Sequence, residues 1–196
     1  PDAGAVGAAT EIARLAPVVP ALMAEGIAVS IDSYEPEVQL WALAQGVAYL
    51  NDIHGFPDPA LYPRLADSAA GLIVMHAVQD RGKASRMDVP PNEIMGRIFA
   101  FFDARLAALE GAGIARSRLV LDPGMGFFLG TDPETSLEAL RRLPELKARY
   151  GLPVLVSVTR KSFIRRLVGR GVAESLPATL AAELFAAGQG ADMIRT

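Results

Sequence analysis

Six times along the chain the same order of residue types returns: apolar residues every three or four positions, a glycine, a short aliphatic run, then polar residues. The later part of each unit reads AEGIAVSIDS, AQGVAYLNDI, AAGLIVMHAV, GAGIARSRLVLDPG, RYGLPVLVSVTRKS and GQGADMIRT. Spacing of three or four fits one face of a helix, whereas a short continuous apolar run fits a strand buried on both faces. Helices are expected over roughly 9–25, 35–45, 58–68, 91–112, 134–149 and 177–188, the clearest carrying Ile94, Ile98, Phe101, Phe102 and Leu106. Gly26, Gly46, Gly71, Gly113, Gly151 and Gly190 fit the left-handed position that closes a helix. Pro17 and Pro20 count against an unbroken first helix. Residues 78–91, VQDRGKASRMDVPP, show no periodicity and read as a long functional loop or lid.

Strands that alternate with helices imply a parallel sheet, either open and doubly wound or closed as a (βα)8 barrel. The distribution of polar residues separates the two. Nearly every strand ends in them: Asp32 and Ser33, Asn51 and Asp52, His76, Asp122, Thr159 to Lys161, and Arg195. A barrel gathers the C-terminal ends of all its strands at one mouth, whereas an open sheet concentrates its site at one switch point. The expected fold is therefore α/β, a TIM barrel of which about six of the eight βα units are visible, with residues 1–196 forming one partial barrel domain.

Composition narrows the function classes. With 51% hydrophobic residues and a mean hydropathy of +0.27, the chain can bury a sizeable core. A net charge of −3 leaves no global basic field for nucleic acid or an anionic membrane, so an anion site must be local. The absence of cysteine excludes disulfides, thiolate nucleophiles and Cys-based zinc sites. Only His54 and His76 are histidines, so no protein-held transition metal is expected, while Mg²⁺ carried in on a phosphate stays open. No apolar run reaches the roughly 18 residues of a membrane span, and a cytoplasmic location is expected.

Candidate chemistry begins with LDPGMGFFLG, residues 121–130. Asp122 closes an apolar strand, and the glycines after it let backbone approach a ligand. Its carboxylate can accept paired N–H groups from a flat heterocycle, with Phe127 or Phe128 as a stacking wall. Asp-Pro-Gly is equally an ordinary turn, and both Phe residues serve as well in a core. Asn51 supplies an amide for the edge of the same ring, or is a plain loop residue. Asp32 is a second strand-end carboxylate, or an N-cap for the next helix. His76 fits a satisfied buried histidine better than a base. Arg160 and Lys161 stand where a helix begins, a place that disfavours cations unless an anion arrives. Ser162 is expected to cap that helix, and Arg195 adds a cation at the last visible strand. Carboxylates for a nitrogen heterocycle and cations for an anion suggest a heterocyclic substrate carrying phosphate.

In their order and spacing, SIDSYEPEV, LNDIHGF, LIVMH, LDPGMGFF, SVTRKSF and GADMIRT closely resemble the dihydropteroate synthase family. GFPDPALYP, DPGMGFFLG, PETSL and TLAAEL look most like its sulfonamide-insensitive, plasmid-borne subgroup. The resemblance implies condensation of 6-hydroxymethyl-7,8-dihydropterin diphosphate with 4-aminobenzoate, with release of pyrophosphate. It implies that Asp122, Asn51 and Lys161 hold the pterin, that Met75 and Phe127 line its pocket, and that Asp32 and Lys161 act at the reacting centre. Arg195 would bind the leaving diphosphate, usually with Mg²⁺, and Thr159, a Ser in most of the family, would help form the aminobenzoate site, while Arg160 belongs with Lys161 to the anion-attracting corner at the helix start. A homodimer is compatible with the family. The family's first two strands and last helix have no counterpart here, so the chain is expected to be an internal fragment, inactive by itself. Alternatives are a noncatalytic pterin-binding fragment, a pterin-dependent corrinoid methyltransferase, or an aldolase-like barrel with Lys161 as a Schiff-base lysine.

Overall fold

The computed structural model describes residues 6–78 and 89–196, so most of the loop expected over 78–91 lies outside the described residues. The first two helices are α1 (Ala8–Leu15) and α2 (Val19–Ala24). β1 (Ser30–Asp32), α3 (Pro36–Gln45), β2 (Tyr49–Asp52), α4 (Tyr62–Ala66) and β3 (Gly71–Met75) follow. Then come α5 (Pro91–Gly111), β4 (Leu119–Asp122), α6 (Pro133–Arg141) and α7 (Leu143–Tyr150). β5 (Leu155–Val156), α8 (Ser162–Val168), α9 (Leu176–Gly188) and β6 (Met193–Ile194) complete the order.

Prolines decide where the expected long helices break. Pro17 lies between α1 and α2, and Pro20 stands in the first turn of α2, where its missing N–H leaves no bond unmade. The segment expected as one helix over 134–149 is likewise two, with Pro144 in the first turn of α7. Gly46 and Gly151 close α3 and α7 in the left-handed conformation. Gly71 does not: it opens β3, and a Cβ there would stand 2.5 Å from the Tyr49 ring. Close packing across neighbouring strands, not a helix cap, explains it.

All strand pairs are parallel, and their spatial order follows the chain. β1 to β4 pair in sequence, Leu121 bridges to Val154 just before β5, and β5 pairs with β6. An order without reversal is that of a barrel wall, since a doubly wound sheet reverses at its switch point. The curvature is visible directly: Arg195, just past β6, lies 3.1 Å from Asp32 at the end of β1.

The two-residue period of a strand sorts side chains into two layers. Ile31, Leu50, Leu72, Val74, Leu119, Leu121, Val154 and Val156 belong to the main core together with the helices. Ile73, Val120 and Leu155, with Tyr49 and Met193 packed on them, form a second small cluster on the other face. That face is the barrel interior. Asn51, Met75, Asp122 and Arg195 share its parity, each two residues farther along its strand, and Asp32 is in register with Asn51.

The opposite end is closed by Arg118, next to β4. Its guanidinium donates to the carbonyls of Leu65, Ala66 and Ala70 and to the Ser68 hydroxyl at 2.7–3.3 Å. Those groups are the loose end of α4 and the entry to β3, so one side chain ties three elements. Arg118→Ala should lower stability by about 2–4 kcal/mol, from several charge-assisted bonds lost and carbonyls left bare. Arg118→Lys should recover less than half, since one ammonium cannot reproduce the fork. Urea unfolding of the three proteins checks both expectations.

Candidate active site

At the mouth, Asp122 is fully buried, with 1% of its surface exposed. One carboxylate oxygen accepts the Gly124 N–H at 2.8 Å; the other has no hydrogen-bond partner and lies 3.9 Å from Arg195. The turn that fixes it is tight. Gly124 has φ +73, and a Cβ there would stand 2.3 Å from the His76 carbonyl oxygen, so only glycine fits. The His76 ring lies 3.1 Å from the Pro123 carbonyl through Nδ1 and meets Phe101 edge-on. A carbonyl only accepts, so Nδ1 carries the proton. Burial pushes the imidazole pKa down to about 4, which keeps the ring neutral and agrees with a satisfied buried histidine.

Burial also pushes the Asp122 pKa up to about 6, against the Gly124 N–H bond and the positive charges of Arg195 and Lys161. Lys161 is displaced the other way: desolvation lowers its pKa, while the Asp122 carboxylate opposes the shift. Its ammonium stands 4.9 Å from the centre of the Phe128 ring. Phe128 therefore backs the lysine, whereas Phe127 is 39% exposed and meets Phe128 edge-on. Met75, 1% exposed, is in register with Asp122 on the neighbouring strand.

Asn51 is 1% exposed, and neither its amide oxygen nor its amide nitrogen has a partner. It is in register with Asp32, whose carboxylate is half exposed and paired with Arg195. Arg195 thus stands between two carboxylates rather than free. The structure brings Asp32, Asn51, Asp122, Lys161 and Arg195 to one mouth, as the sequence suggested.

Several residues that build this mouth were not singled out from the sequence. Gln39, buried on α3, donates to the Ser33 carbonyl at 2.8 Å and to the Asp52 carboxylate at 3.0 Å, tying together the residues that follow Asp32 and Asn51. Ser136 accepts the Gly126 N–H at 2.9 Å. The Thr159 hydroxyl lies 2.8 Å from the Glu183 carboxylate and 3.0 Å from the Arg195 carbonyl, and the Arg160 N–H donates to Thr179 at 3.0 Å. These partners come from the helices around the mouth; Ser136 lies in PETSL and Thr179 and Glu183 in TLAAEL, but neither segment by itself shows which residue its side chain meets. Ser162 differs from expectation: α8 begins at Ser162, Lys161 occupies the cap position, and no side chain caps the helix.

The family described as pterin binding enzyme matches residues 1–196. Dihydropteroate synthase type-2 of Escherichia coli is 64% identical over 196 residues, covering 100% of this chain and 72% of the relative. The chain belongs to the dihydropteroate synthase family. Dihydropteroate synthase type-1 of Escherichia coli is 53% identical over 197 residues, covering 71% of that protein. Among solved structures, dihydropteroate synthase from Xanthomonas albilineans in complex with 7,8-dihydropteroate aligns with a TM-score of 0.84 at 31% identity, over 98% of this chain and 71% of that one. The same enzyme with 4-aminobenzoic acid aligns with a TM-score of 0.86. The synthase family is one of barrel enzymes, and the strand order described above is that of its wall. Among the described residues no group of three or more His, Asp or Glu side chains is placed to hold a metal, and no helix is long and apolar enough to cross a membrane.

The raised Asp122 pKa makes a stability prediction for this member of the synthase family. A carboxyl that binds its proton more tightly when folded contributes stability that is full below the unfolded value of 3.8 and is lost as pH rises through about 6. The loss is on the order of 3 kcal/mol. Asp122→Asn keeps an acceptor for Gly124 but cannot ionise. It should therefore unfold several degrees above the wild type at pH about 7.5 and show little advantage near pH 4, in thermal melts followed by circular dichroism.

Proposed function

We propose that this chain carries the pterin site of a dihydropteroate synthase, which joins 6-hydroxymethyl-7,8-dihydropterin diphosphate to 4-aminobenzoate and releases pyrophosphate. One observation carries the reading: at the same mouth, Asp122 offers a buried acceptor without a partner, and Asn51 offers a buried acceptor and donor, also without partners. Each bare buried polar group costs about 1–3 kcal/mol. A flat heterocycle with paired N–H donors and a ring acceptor would relieve all three.

Asp122 takes two N–H donors of the pterin, Asn51 its opposite edge, and Lys161 a ring acceptor, with Met75 and Phe127 against the ring. Arg160 and Arg195 face the diphosphate, and Thr159 the aminobenzoate. Mg²⁺ enters with the diphosphate as part of the substrate and neutralises its charge. The amine nitrogen of 4-aminobenzoate bonds to the methylene carbon of the pterin. The bond from that carbon to the diphosphate oxygen breaks, pyrophosphate leaves with the electron pair, and the amine gives up a proton to solvent. Asp32 opposes the positive charge that develops on the pterin, and Lys161 and Arg195 favour the departing anion. The 64% identity to the type-2 relative supports the sulfonamide-insensitive subgroup. Exposed Leu176, Leu180 and Leu184 along α9 support a homodimer.

Two experiments in the full-length protein test the assignment. Pterin diphosphate titrated calorimetrically into Asp122→Asn should bind at least about tenfold more weakly, since an amide turns one acceptor into a donor facing a donor. Unchanged affinity sinks the reading. Lys161→Ala should weaken a diphosphate-free pterin and the diphosphate form alike, whereas Arg195→Ala should weaken mainly the diphosphate form. Equal losses on both ligands for Arg195→Ala would contradict its role.

A further inference from the structure

Lys161 reaches the mouth from a turn that is not at rest. Its N–H closes a four-residue turn onto the Val158 carbonyl at 3.1 Å, and the third residue of that turn, Arg160, has φ 51. A positive φ at the third position is the pattern of a type II turn, where glycine is the usual residue and a side chain is strained. Arginine therefore stands in a glycine position, directly before the lysine.

Bonds from outside the turn hold it. The Arg160 N–H is taken by the Thr179 hydroxyl oxygen at 3.0 Å, and Thr179 is 1% exposed. The Thr159 hydroxyl meets the Glu183 carboxylate at 2.8 Å. Thr179 and Glu183 are four residues apart on α9, hence on one face, and together they grip two consecutive residues of the turn. The Arg195 carbonyl, 3.0 Å from the same Thr159 hydroxyl, shares its single proton with Glu183. Downstream, the lysine stem lies against Gly126 and its ammonium over Phe128, within electrostatic reach of Asp122, Arg195 and Asp32. Its station there depends on where the turn releases the chain.

We infer that Thr179 and Glu183 are positioning residues, which hold the Thr159–Arg160–Lys161 turn in its strained form and so fix the Lys161 ammonium opposite Asp122. The inference rests on the reading of Lys161 as a functional group of the mouth. Thr179 acts through the backbone before the lysine; Glu183 acts through Thr159, and so on the aminobenzoate side.

The test uses the full-length protein. Thr179→Val keeps the shape and removes the acceptor. It should weaken pterin-diphosphate binding less than Lys161→Ala does, because Asp122 and Asn51 are untouched and the ammonium is displaced, not removed, while kcat falls about ten- to a hundredfold. Asparagine tolerates positive φ, so Arg160→Asn relieves the strain at its source. Thr179→Val added to Arg160→Asn should then cost little more, whereas independent sites would multiply their losses. Glu183→Leu should raise the KM for 4-aminobenzoate severalfold with pterin affinity unchanged, and it decides the matter if Thr179→Val fails to fold. A readout free of turnover is the titration of Lys161 followed by NMR on ¹³C-labelled lysine, which Thr179→Val should move back toward the ordinary lysine value. Wild-type kcat in Thr179→Val, multiplying losses in the double variant, or an unmoved Lys161 titration would each overturn the inference. A wild type that binds no pterin, with Lys161 still moved by Thr179→Val, would instead overturn the functional reading and leave the positioning role standing.

Discussion

A carboxylate withdrawn from water with one oxygen unclaimed is the constraint around which this mouth is arranged. In a low-dielectric surround an ionised group needs partners, and Asp122 has one hydrogen bond and two cations at a distance. Everything close to it is specified for that reason. Gly124 clears the way for the turn, His76 braces Pro123, and Phe128 backs Lys161. Arg195 is shared with Asp32, which draws the two ends of the strand series together. Under the proposed function, a ligand completes this half-satisfied acid.

This division between stability and use recurs. Arg118, at the far end, bonds through all three of its guanidinium nitrogens and serves the fold. Asn51, in the mouth, has none, which under the proposed function leaves it for a ligand. The same barrel wall carries both, with saturated polar groups at the closed end and unsaturated ones at the open end.

Much of this was legible in the chain. The repeated passage from helical spacing through glycine to an aliphatic run gave the parallel βα order, and polar residues at the strand ends located the mouth. What stayed hidden has physical reasons. Gly71 looks like every other helix-closing glycine in sequence, and only the Tyr49 ring beside it explains why no side chain fits. The helix over 134–149 kept its apolar rhythm through Pro144, since a proline in a first turn leaves the pattern intact. Ser162 has the right chemistry for a cap one residue too late. Thr179 and Glu183 fall within TLAAEL and Gln39 just after SIDSYEPEV, but their partners are 6 to 24 residues away and only the fold brings them together.

The two-layer sorting of the strands has an evolutionary consequence. In LVLD, residues 119–122, Leu121 faces the helices and Asp122 faces the mouth, and the neighbouring strands keep the same parity. Losing or gaining a single residue within such a strand would exchange the two faces, sending an acid into the apolar layer and a leucine into the mouth. Strands this short therefore behave as a fixed reading frame: lineages can vary what is written at each position, but they can change the chain's length only beyond the last inward-facing residue of a strand. Diversity in substrate handling should accumulate in loop insertions and point changes, with the strands themselves free of gaps.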